Sequence, residues 1–106
     1  MDILNNIELI EKFAGSKTKT QLSKDIKTIY SILRALEIIG EAAKQISQII
    51  KKKYPEIPWK GVAGTRDKLI HHYFGIDFDI IWNIMKKDLP YLKRKIEKIL
   101  KDFESV

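Results

Sequence analysis

"DIKTIYSILRALEIIGEAAKQISQIIKKK", residues 25–53, is the stretch that decides the fold. Ile29, Ile32, Leu33, Leu36, Ile39, Gly40, Ala43, Ile46 and Ile50 follow the three-and-four step of one helix face. The spacing predicts a single helix from about Asp25 to Lys53. Ala35, Ile38, Ala42 and Ile49 lie beside this stripe and widen it well past a third of the circumference. A helix that apolar, in so small a domain, has more than one neighbour to cover it. The second neighbour is either the rest of this chain or a partner chain.

Outward from this segment, three breaks divide the sequence. "AGSKTKT", residues 14–20, is a polar turn. "YPEIP", residues 54–58, holds two prolines that forbid a continuous helix. "FGIDFD", residues 74–79, offers Gly75 as a helix C-cap and Asp77 as an N-cap. The last segment reads Phe78, Ile81, Trp82, Met85, Leu89, Leu92, Ile96, Ile99, Leu100 and Phe103, helical almost throughout. Pro90 should break or kink it, with Asp88 placed to cap the second piece. No strand pair is expected. The fold class is all-α, a bundle of four or five helices.

The chain of 106 residues suits one compact domain, spanning residues 1–106. It is 44% hydrophobic and 32% charged, so it can build a core and stay dissolved. It has no cysteine, which excludes disulfides, thiol nucleophiles and thiolate metal sites. No apolar run approaches the roughly 20 residues of a membrane span. The N-terminus lacks the pattern of a secretory leader, so a cytoplasmic protein with no membrane contact is expected. The net charge of +6 favours polyanionic partners such as RNA, DNA or an acidic protein surface. Lysine used only for solubility is the plainer reading of the same number.

On a helix over residues 58–73, Trp59, Val62, Ala63, Leu69, Ile70 and Tyr73 form one stripe, and Arg66 falls in its middle. A buried guanidinium is costly unless paired or hydrogen-bonded. Its partner is a carboxylate, a set of carbonyls or an anion reaching it through a cleft. The long helix offers Glu37 and Glu41, four apart and mutually repelling unless a cation sits between them. His71 would lie about 140° around the helix from Arg66, so the two meet only through distortion near Gly75 or across two copies of the chain. Asp67, four residues before His71, would share its face and favour the charged imidazole. Gly64 would leave room there for another backbone or a ligand. His72 would point elsewhere, beside Lys68 and Leu69.

Other chemistries fit poorly. His71 and His72 are adjacent, so they lack the three-or-four spacing of helical zinc sites, and no metal or cofactor is expected. There is no nucleophile elbow and no phosphate loop. The lysines at 51–53, 86–87 and 93–95 read as solvated faces that can also steer a polyanion.

The pattern R-x-x-x-x-H-x-Y, carried by Arg66, His71 and Tyr73, resembles that of HepT-like proteins of the HEPN superfamily. The resemblance extends to "RALEIIGEAAKQIS", residues 34–47, to "YPEIPWKGVAGTRDKLIHHYFGID", residues 54–77, and to "DIIWNIMKKDLPYLKRKIEKIL", residues 79–100. Residues 14–24 look short and lysine-rich for the family. The resemblance implies an all-helical homodimer of HEPN type acting as the toxin of a toxin–antitoxin system. It implies a metal-independent RNase with Arg66 and His71 catalytic at a dimer-interface cleft. It also implies an MNT-type nucleotidyltransferase as antitoxin, silencing the toxin by AMP transfer to Tyr73. Glu37, Glu41 and Asp67 would support the site. RNA brings its own nucleophile, the 2′-OH, so the lack of serine or cysteine chemistry is no obstacle. The alternative is a non-catalytic subunit that binds nucleotide or RNA and docks the nucleotidyltransferase. A helical DNA-binding regulator has no recognition helix to support it.

Overall fold

The computed structural model describes residues 2–65, 70–71 and 75–104. Helix α1 spans Asp2–Ala14, α2 Lys19–Ser23, α3 Ile26–Gln45, α4 Gln48–Lys53 and α5 Trp59–Ala63. After a two-residue antiparallel pairing, described below, α6 spans Phe78–Asn83 and α7 spans Leu89–Glu104. The architecture is all-helical, as the apolar spacing requires. Among the described residues no helix is long and apolar enough to cross a membrane.

Local chemistry sets the boundaries. Gly15 ends α1 in the left-handed region, φ 54°, where a side chain would be strained. Thr18 opens α2 with a capping box: its hydroxyl accepts from the Gln21 amide, and the Gln21 side chain accepts from the Thr18 amide. Asp25 caps α3, accepting from the Thr28 amide at 3.1 Å and from the Thr28 hydroxyl at 2.7 Å. The single helix expected from Asp25 to Lys53 is interrupted. Ile46 is extended, ψ 135°, and Ser47 caps a separate α4 through its hydroxyl and the Ile50 amide. A serine oxygen competes for backbone donors that a continuing helix would use.

The core forms where α1 lies along α3 and α7 packs against α1. Ile3, Ile7 and Ile10 meet Ile32, Leu36 and Ile39, with Ile81 and Ile96 closing the other side. Two ion pairs tie distant helices, Lys93 to Glu11 at 2.8 Å and Lys19 to Asp79 at 3.0 Å. The proline-rich loop is pinned to α7. The buried Tyr54 hydroxyl donates to Asp102 at 2.9 Å, and Tyr91 donates to the Glu56 carbonyl at 3.1 Å. Burial and then the Asp102 bond push the Tyr54 phenol above its ordinary value of 10.0.

Pro90 neither breaks the last segment nor needs Asp88 as a cap. A π turn over Ile84–Asp88 joins α6 to α7, and the Leu89 amide donates to the Ile84 carbonyl five residues back. A turn one residue wider than α relieves the contact between the proline ring and the preceding carbonyls.

Candidate active site and its surroundings

The chain reaches the Arg66–Tyr73 segment from α5, a helix of only 5 residues. Such a helix does not stand alone in water, so its neighbours hold it. Trp59 is buried, and its indole N–H donates to the Tyr54 carbonyl at 3.1 Å. On the other side α5 presses on α3 at Gly40. A Cβ placed there would stand 3.2 Å from the Ala63 carbonyl oxygen and 3.4 Å from that of Val62. That is tighter than ordinary packing, so a side chain at this position would have to push the two backbones apart. Glu37 and Glu41 lie on α3 on either side of Gly40 in sequence.

The end of α5 is closed by the backbone and by Thr65. The Gly64 amide donates to the Lys60 carbonyl at 3.0 Å. The Thr65 hydroxyl lies 2.8 Å from the Val62 carbonyl and 3.2 Å from that of Gly61. These are the carbonyls a helix end leaves without partners. A Cβ on Gly64 would meet only carbonyls of its own helix.

The helix expected over 58–73 is also revised. By Ile70–His71 the backbone is extended, and this strand, β1, pairs antiparallel with β2, Gly75–Ile76. Ile70 faces Ile76 and His71 faces Gly75 in the register. Gly61 and Gly64 lower helix propensity just where the hydroxyl of Thr65 captures the last carbonyls. His71 is thus not on a regular helix, and its 140° divergence from Arg66 no longer follows. Gly75 serves the pairing rather than a helix C-cap. Asp77 caps α6 as expected, accepting from the Ile80 amide at 3.3 Å. Arg66, Asp67, His72 and Tyr73 lie outside the described residues.

The two supporting carboxylates are described. Arg34 meets Glu37 at 3.3 Å, with the Glu37 side chain only 26% exposed. Lys44 meets Glu41 at 3.4 Å, and Glu41 is 70% exposed. Glu37 is therefore the more buried of the two, while Glu41 sits at the surface.

The family model for HepT-like ribonucleases matches residues 3–99. The chain belongs to the HepT-like ribonuclease family. A Thermococcus cleftensis relative named as a probable ribonuclease HepT is 49% identical over 100 residues, covering 94% of this chain and 91% of the relative. A Methanocaldococcus jannaschii protein with a provisional RNase name is 48% identical over 103 residues, covering 97% and 85%. A Caldanaerobacter subterraneus protein, also provisionally named an RNase, is 41% identical over 92 residues, covering 87% and 81%. No solved structure matches the chain.

One feature of this HepT-like chain escaped the sequence reading. A cavity of about 620 Å³ lies where α3, α5, α6, the π turn and α7 meet. Asn83, Lys87 and Asp88 stand on its wall. The structure buries Ile84 and Leu89, five residues apart, a step no regular α-helix face makes.

Proposed function

We propose that this chain, as one HepT-like domain over residues 1–106, is a metal-independent RNase acting as the toxin of a toxin–antitoxin pair. The observation that carries the proposal is the family match over residues 3–99, a span that includes Arg66, His71 and Tyr73. The surplus of positive charge, +6, suits a polyanionic substrate.

The chemistry uses the substrate's own nucleophile. His71 takes the proton of a 2′-OH as that oxygen attacks the adjacent phosphorus. The bond from phosphorus to the 5′-oxygen breaks, and an imidazolium returns a proton to the departing oxygen. The products are a 2′,3′-cyclic phosphate and a free 5′-OH. An imidazole with a reference pKa near 6.5 is suited to both transfers at neutral pH. Arg66 holds the phosphate and stabilises charge growing on its oxygens. Glu37 and Glu41 orient Arg66, and Asp67 orients His71.

The reading includes a homodimer. The α1–α3 face supports it: Leu9, Phe13, Tyr30, Ala35 and Ile38 line an open apolar groove, and Tyr30 is 58% exposed. Ala35 and Ile38 belong to the surplus apolar strip of the long helix. The strip's other members divide: Ala42 packs on the core and Ile49 is 80% exposed. Silencing follows when an MNT-type nucleotidyltransferase transfers AMP to Tyr73. The phenol oxygen attacks the α-phosphorus of ATP and pyrophosphate leaves. The added phosphate brings bulk and negative charge that repel RNA.

The test is cleavage of labelled RNA by purified protein in excess EDTA. Wild type cuts, and His71→Ala abolishes cutting while leaving the molar mass in solution unchanged. Arg66→Ala lowers the rate by about 10²–10³, the cost of removing one such donor. Wild type that binds RNA and never cuts it replaces this reading with the non-catalytic binding subunit. Co-expression with the nucleotidyltransferase should add AMP mass to the peptide holding Tyr73. Growth rescue with an unmodified tyrosine means that silencing works by docking.

A further inference from the structure

The cavity beside the π turn has no part in the chemistry above. Its floor is apolar, built from Leu36, Ile39, Val62, Leu89 and Leu92. Its polar wall is Asn83, Lys87 and Asp88, with Thr65 and Tyr91 at the edges. At about 620 Å³ it has the size of a small-molecule site, and an apolar floor with a few polar groups is the usual make-up of one.

Three further observations point to a ligand. Lys87 and Asp88 come from the π turn, a distortion frequent at functional sites, and Asn83 from the residue before it. These three side chains are exposed at the cavity and, among the described residues, make no hydrogen bond or ion pair with the protein, so they are open to a ligand. The segment carrying Arg66, His71 and Tyr73 is bonded at one end to Thr65, which lines the cavity. At the other end it runs through Asp77 into α6, whose Ile80 also lines the cavity.

Resting on the RNase reading, we propose that the cavity takes the base of a nucleotide next to the cleaved phosphate, and that it selects guanine. A flat aromatic base of one nucleotide fits an apolar floor of this size. Asp88 is acceptor-only when ionised, and its two oxygens match two donors side by side. Guanine alone presents such a pair on its Watson–Crick edge, the ring N1–H and the exocyclic N2–H₂. Adenine and cytosine offer a single amino group with an acceptor beside it, and uracil a single imino group between two acceptors. Asn83 supplies an amide donor for the guanine O6, and Lys87 a positive charge for the nucleotide's phosphate.

The test is titration of the full chain with 5′-GMP, AMP, CMP and UMP, followed by calorimetry and by amide chemical shifts. GMP should bind at least about tenfold more tightly than the others, the discrimination one bidentate base contact provides. Its shifts should centre on residues 83–92. Asp88→Asn should remove the preference, Asn83→Ala should weaken GMP binding, and Lys86→Ala, which alters a neighbouring exposed lysine outside the cavity, should change neither. Equal binding of all four nucleotides, no binding, or shifts centred elsewhere overturns the proposal. RNA cleavage without base preference also sinks the cavity proposal and leaves the RNase reading intact. GMP bound at residues 83–92 by a protein that never cuts RNA does the reverse.

Discussion

Deleting Lys86 from the wide turn between α6 and α7 should destabilise the protein, and adding Pro90→Ala to the deletion should restore it. Ile84 is 8% exposed and Leu89 5%, so both face the core although five residues separate them. In a regular α-helix five residues advance about 140° beyond a full turn, and one of the two would face water. Exposing it forfeits roughly 1.5–3 kcal/mol. The wide turn absorbs the extra residue and keeps both inside. Removing the exposed Lys86 shortens the step to four, so a regular helix again buries both. Pro90 then meets the carbonyl four residues back, at about 3 kcal/mol or more. The deletion alone should therefore lose about that much. The deletion with Pro90→Ala should end within about 1 kcal/mol of wild type, a margin that covers the lost Lys86–Trp82 ring contact at 4.8 Å. Pro90→Ala alone should change little, because the Ile84–Leu89 register still requires the turn. Urea unfolding followed by helical circular dichroism, with the slope checked for constancy, gives these differences. Equal stability of the two deletion variants would refute the idea that the turn accommodates the proline. Failure of the double variant to fold would refute the register argument.

Three more outcomes follow from the geometry. Ser47→Ala removes the oxygen that caps α4 and should lower stability by about 1 kcal/mol in denaturant titration. The Thr28 hydroxyl and then the Thr28 amide hold the Asp25 carboxyl below its ordinary value of 3.8. Its stabilisation is complete above that value and disappears as the pH falls through the lower folded-state value. Wild type should keep a constant advantage over Asp25→Asn near neutrality and lose it in acid, read as thermal midpoints across pH 2–7, a window set by the reference carboxyl range. Gly40→Val drives a branched side chain into the Ala63 carbonyl, which as backbone cannot swing aside. It should cost about 1–3 kcal/mol. At temperatures where the variant is still folded, RNA cleavage should fall further than the folded fraction.

Much of this was readable before any coordinates, because core helices state their faces through apolar spacing. Ile32, Leu36 and Ile39 are buried as the three-and-four step requires, and Asp77 caps the helix it precedes. The misreadings share a cause. Ser47 ends one helix and begins another through a single hydroxyl, too local a preference to disturb a 29-residue pattern. The π turn was masked because Met85 stands four before Leu89 and completes an ordinary stripe, while Ile84 is the residue that is buried. The extended backbone at Ile70–His71 arises from a pairing with Gly75–Ile76, a contact that periodicity along one segment does not encode. The resemblance located the candidate catalytic residues. The cavity was out of reach because α3, α5, α6, the π turn and α7 all meet to enclose it.

The five-residue helix before the motif has a dynamic consequence. It has too few internal bonds to persist by itself, and its hold on the rest of the molecule runs through the buried Trp59, the packing of Val62 and Ala63 on the core and the close crossing with α3 at Gly40. Amides of 61–65 should therefore exchange with deuterium well ahead of those in the middle of α3, as a single opening unit with a free energy below that of global unfolding. A ligand that grips both sides of that opening would slow the exchange, and a protease supplied with such a ligand would find its first cut delayed.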